Sequence, residues 1–209
     1  MKRIIAVIAI LLIVLFGGCQ MKKDVKPSEM SPNDLPDERA FQDEFTREFL
    51  QSAEETRPGY YPFLSNTGRY KMDFPAKGII NKKFYNINKN SHEMFNVSFV
   101  DDNDIKIEYS LAYYEESDKK DIDTNLAFFK GRIGQDTNFE VIESKNHNIY
   151  NTNYNISKFY KHAAYIQNII NPGGIEIIFT IHCKDETNCK NNELIEQIND
   201  LIMSIEFVN

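Results

Sequence analysis

The sequence predicts an α+β domain, an antiparallel sheet flanked by helices. Three observations predict it. Two segments alternate apolar and polar residues with period two, at Glu93 to Phe99 and Asp104 to Tyr114. Asn171-Pro172-Gly173-Gly174 turns directly into a third such segment, 175–183. Two stretches, Asp118 to Gly134 and Asn192 to Met203, instead carry apolar residues at helical spacing. A one-faced antiparallel sheet needs a cover, and helices supply it.

Taken in chain order, Asp37 to Arg57 reads as a first helix. Phe41, Phe45, Phe49 and Ala53 recur every fourth residue, Pro36 suits a first turn, and Pro58-Gly59 stops the pattern. Tyr60, Tyr61, Phe63 and Leu64 follow as an aromatic connector. Such a run packs against a sheet or offers an interface patch; we place the expected partner contact at Tyr60, Tyr61 and Phe63, because aromatics dominate interface anchors. Gly68 to Phe74 reads as a short strand ended by Pro75. Phe95, Val97 and Phe99 share one face of the next strand. Ile105, Ile107, Tyr109, Leu111 and Tyr113 share a face of its partner, with Lys106, Glu108 and Ser110 opposite. Asp101-Asp102-Asn103 between them is turn chemistry, and its spacing lacks the full calcium-loop pattern.

In the second predicted helix Ile122, Leu126, Phe129 and Ile133 line up, and Gly134 suits the C-terminal cap. Phe139 to Glu143 is a strand, and Ser144 to Asn155 a polar loop or hairpin. Ile156 to Ile170 fits both periods in part; the Pro-Gly turn behind it decides for a strand. The last helix turns Ile195, Ile198 and Ile202 inward. Ser204 to Val208 ends the chain as an extended segment. The expected single domain spans 37–209.

The chain has 209 residues, 24 basic and 31 acidic, for a net charge of −7. That balance argues against nucleic acid, since phosphate binding needs a basic face. Met1-Lys2-Arg3 opens the chain. Thirteen apolar residues follow, Ile4 to Phe16, then Gly17-Gly18-Cys19. A basic start, a short apolar run and small residues make a signal peptide, 1–18. At about 1.5 Å per residue the run makes a helix of about 20 Å, short of a bilayer core of about 30 Å.

Phe16-Gly17-Gly18-Cys19 resembles the lipobox of bacterial lipoproteins. The leucine that the family carries in place of Phe16 stands here one position earlier, as Leu15. The resemblance implies that Cys19 receives a diacylglycerol and becomes the first mature residue. The membrane is then a partner through that lipid, at the extracytoplasmic face. Cleavage removes Lys2 and Arg3, leaving the mature chain at −9. Gln20 to Asp37, with Pro27, Pro32 and Pro36, reads as polar tether, and 19–36 is expected to be flexible.

Two cysteines remain, Cys183 and Cys189. Outside the cytoplasm an even remainder suggests a disulfide; free thiols and a metal site are the alternatives. His182 lies on the strand face opposite Cys183, which speaks against a shared ion. His92, His147, His162 and His182 sit in no recognised ligand spacing, and no nucleophile motif or phosphate loop occurs. No cofactor is expected.

Tyr70-Lys71-Met72-Asp73-Phe74-Pro75, a strand-rich middle with one helix, and a terminal helix running into Met203-Ser204-Ile205-Glu206-Phe207 resemble PsbP-like domains over about 65–209. The resemblance implies a sheet sandwiched by helices, an α/β/α sandwich, and brings no catalytic residues. The functional expectation is therefore a tethered binding or accessory module of the envelope, acting on a protein or wall component. A small envelope hydrolase or metal-dependent enzyme is the alternative.

Overall fold

The computed structural model describes residues 25–101, 103–116, 121–182 and 192–208. Cys19, Cys183, Cys189 and the expected signal peptide, 1–18, lie outside these residues. The strands are β1 (Tyr60–Leu64), β2 (Tyr70–Pro75), β3 (Ile79–Ile80), β4 (Asn86–Asn88), β5 (His92–Val100), β6 (Lys106–Tyr114), β7 (Glu140–Glu143), β8 (His147–Ile156), β9 (Phe159–Asn168), β10 (Gly174–His182) and β11 (Glu206–Phe207). The helices are α1 (Arg39–Gln42), α2 (Glu44–Arg47), α3 (Ile122–Ile133) and α4 (Asn192–Met203).

A large sheet runs β3-β5-β6-β10-β9-β8-β7, with β4 added beside β5; a small one runs β1-β2-β11. Every pairing is antiparallel. This is the α+β architecture that the alternating segments predict. Tyr109, Leu111, Ile177, Phe179 and Ile166 fill the inner face of the large sheet. The small sheet and the apolar side of α4, Leu194, Ile198, Leu201 and Ile202, cover that face. On the outer face α3 lays Phe129 and Ile133 against Ala163 and Tyr165. Asp121 caps α3 by accepting from the Thr124 amide at 3.2 Å. Gly134 ends it at φ 68°, a left-handed turn that glycine adopts without strain.

The expected helix over 37–57 is not there. Asp43 adopts an extended backbone, and its carboxylate accepts both the Thr46 amide at 2.8 Å and the Thr46 hydroxyl at 2.7 Å. That local cap splits the segment into α1 and α2. Beyond them Gln51 donates its amide to Pro62 O and Leu64 to Phe49 O, so 49–51 pairs along β1 instead of coiling.

The expected tether also differs. Over 25–36 the chain makes two one-turn 3-10 helices, Pro27–Glu29 and Pro32–Asp34. Pro27 is buried and Leu35 packs on the core. Apolar side chains on this stretch hold it against the domain.

Tyr60, Tyr61 and Phe63, the expected partner contact, are core residues at 9%, 5% and 1% exposure. Phe63 stacks between Phe49 and Phe74, with centroids 5.3 and 5.7 Å away. Tyr61 meets Phe41 edge-on at 4.6 Å. The reason is topological. β1 lies over the apolar inner face of the large sheet, so its aromatic side chains have no solvent to face.

Candidate cleft on the outer sheet face

The helix α3 covers only part of the outer face. The uncovered part, with the exposed turn at Phe84 on its rim, encloses a cleft of about 480 Å³. Strand register dictates what lines it. Ser98 pairs with Glu108, Glu108 with Thr180, Thr180 with Lys161 and Lys161 with Tyr154. One polar row thus crosses five strands, β5-β6-β10-β9-β8. A second row, Asn96, Ser110, Ile178, Ala163 and Thr152, runs beside it toward α3. A third, Lys106, His182, Phe159 and Ile156, closes the other side. Side chains directly opposite in a sheet stand about 5 Å apart, so each row is a continuous strip of groups.

The charges are placed by contacts. Glu108 faces Lys106 Nζ at 2.9 Å and His182 Nε2 at 2.7 Å. The hydrogen bond from Lys106 leads in holding its carboxyl below the usual range; partial burial opposes this, and His182 adds to it. Lys161 donates to the Thr180 hydroxyl. Burial pushes the Lys161 ammonium pKa down, and nearby Glu108 opposes that. Arg132, at the end of α3, pairs with the buried Glu176 carboxylate and lies over the Tyr114 ring at 5.3 Å. By contrast Asn96, Ser98 and Ser110 make no side-chain hydrogen bond among the described residues. Their hydroxyl and amide groups are open to a ligand. Phe84, Ile156 and Ile178 give the cleft apolar walls.

Chemically the cleft offers donors and acceptors of several kinds between apolar walls. A held, ionised Glu108 is a poor proton donor at neutral pH. Among the described residues no three His, Cys, Asp or Glu side chains converge as metal ligands.

Of the histidines, only His182 reaches the cleft contacts. His162 is buried on the inner face opposite Phe179, His147 is buried near the β8 start, and His92 rests on Tyr114. Sequence reasoning put Lys106, Glu108 and Ser110 on the polar face of their strand but did not single out the cleft. The rows exist only across strands, and register is not written in any one of them.

A structure from Bacteroides thetaiotaomicron VPI-5482 is similar at 10% identity and a TM-score of 0.41, over 71% of this chain and 48% of that one. LpqN of Mycobacterium tuberculosis, described as involved in cell envelope biogenesis, is similar at 11% identity and a TM-score of 0.35, over 72% of this chain and 91% of that one. A curated Bacillus subtilis (strain 168) protein, "Putative lipoprotein YvcA", is 30% identical over all of this chain and 98% of its own length. The family profile described by the same words matches residues 36–206. The chain therefore belongs to the family "Putative lipoprotein YvcA".

Proposed function

We propose that this protein is a lipoprotein of the cell envelope. In this reading lipidated Cys19 anchors it at the extracytoplasmic face, and it works by binding rather than catalysis, taking a hydroxyl-rich polar ligand into the outer-face cleft. The family membership and the lipobox-like Phe16-Gly17-Gly18-Cys19 support the anchor. The layering of helix, sheet and helix supports a PsbP-like sandwich. One observation carries the cleft reading. An uncovered sheet face needs only solvated side chains, yet this one walls its free Asn96, Ser98 and Ser110 groups with Phe84, Ile156 and Ile178. Hydroxyl and amide groups between apolar walls suit a ligand with hydroxyls on an otherwise carbon surface.

The test compares the mature protein with Ser110→Trp, which fills the cleft floor. Both are incubated with the soluble fraction of a wall digest, washed, and their retained small molecules identified by mass spectrometry. The reading predicts a hydroxylated species retained by the wild type and lost from the variant at unchanged melting temperature. The same retained set in both contradicts it.

A further inference from the structure

The stretch 74–92 contains Lys77, Lys82, Lys83 and Lys89 and no Asp or Glu, within a chain of net charge −7. From Asn81 to Asn90 every residue except Tyr85 is exposed. Phe84 is 59% exposed and Ile87 39%. The turn is fixed: the Phe84 amide donates to Asn81 O at 3.0 Å, and the Lys83 amide to the Asn81 side chain at 3.1 Å. Tyr85 seats the segment on Phe45 and Phe49, at 5.2 and 5.5 Å between centroids. Phe84 is therefore held outward on a rigid base, between lysines.

A second observation says what lies opposite. On the side of Cys19 the described chain starts at Val25, and Pro27–Glu29 packs against α2. The same helix holds β3, through the Ile80 amide on the Thr46 hydroxyl at 2.9 Å, and Lys82 Nζ lies 5.3 Å from its Phe45 ring. The chain entry and the basic segment thus flank one short helix. Cys19 precedes Val25 by six residues, about 20 Å at full extension. The described acids on this side, Glu29, Glu44 and Glu48, belong to the first 3-10 turn, to α2 and to the residue that follows it, not to the basic stretch.

We propose that Asn81–Asn90 is a membrane-contact surface that lays its lysines on anionic phospholipid headgroups and sets Phe84 into the interface. Exposed aromatic and aliphatic residues among lysines are the composition that binds there. The proposal rests on the reading of Cys19 as lipidated. Because Phe84 also rims the cleft, the contact turns the cleft mouth toward the headgroup layer.

The chain contains no tryptophan, so Phe84→Trp installs a single tryptophan that can be excited apart from the tyrosines. The mature lipidated protein is added to phosphatidylcholine vesicles with and without phosphatidylglycerol, their acyl chains brominated as quencher. Val141→Trp on β7, at the opposite edge of the large sheet and 48% exposed, is the control. The expected result is flotation of both variants, with quenching at position 84 and not at position 141. Lys82→Glu with Lys83→Glu should lower that contact, by about five-fold per lysine, and salt should weaken it. Equal quenching at both positions on floating protein overturns the membrane contact while leaving the anchor intact. Protein that does not float overturns the anchor, and the contact with it.

Discussion

The Tyr70 hydroxyl donates to the Glu93 carboxylate at 3.0 Å and joins the small sheet to the large one. Glu93 is fully buried and also accepts the Asn66 amide and the Tyr85 hydroxyl, each at 3.0 Å. Among the described residues no cation shares these contacts. Burial is the largest influence and raises its pKa above 4.5, against the pull of those hydrogen bonds. A carboxyl whose folded pKa is raised contributes its stability below the unfolded value and loses it as pH rises through the folded one. Glu93→Gln keeps the shape without the charge. In urea denaturation, the wild type should lose stability relative to Glu93→Gln as pH rises above 4.5. A pH-independent difference contradicts this. Glu93→Ala strands three donors and should cost about 3 kcal/mol.

Phe63 tests the reassignment of the aromatic connector. Phe63→Ala removes a ring stacked on two others and should cost about 4 kcal/mol, lowering the melting temperature by about 10 °C. A variant that melts like the wild type shows that the β1 aromatics are not core.

Much of the fold is legible in the sequence because its strands are half-buried. Ile105 through Tyr113 alternate, Asn171 to Gly174 makes the turn, and the last helix occupies Asn192–Met203 as its spacing predicts. The first helix misleads because Phe41, Phe45 and Phe49 keep helical spacing for another reason. They reach one apolar core from two short helices and the turn that follows them. Asp43 carries the missed signal, a side chain that competes for backbone amides inside a helical pattern. The cleft is illegible for the reason that its rows join strands far apart in sequence, Ser98 and Lys161 among them.

The packed stretch 25–36 makes a second structural prediction. A chain starting at residue 37 loses buried Pro27 and the Leu35 contact. It should melt a few degrees below one starting at residue 25, since about 1–2 kcal/mol of apolar burial goes with them. Equal melting temperatures show that the stretch is a free tether.

His162 is 3% exposed, and neither ring nitrogen has a partner among the described residues. Burial pushes its pKa from 6.5 down to about 4. A base whose folded pKa is depressed contributes stability above its unfolded value and loses it as pH falls through the folded one. The wild type should lose on the order of 3 kcal/mol between pH 6.5 and about 4 on this account. His162→Phe should flatten that part of the pH profile in chemical denaturation, and an unchanged profile contradicts the neutral buried histidine.

In the reading proposed above, the domain is held at the membrane by its own lipidated cysteine. The most direct measurement is the intact mass of the protein extracted from membranes of cells making the full chain. The account predicts a chain beginning at Cys19 and heavier than its sequence by an N-terminal diacylglycerol, with Cys19→Ala yielding neither the cleavage nor the lipid. A wild-type mass that fits an unmodified chain, whether begun at Met1 or after any other cleavage, contradicts it.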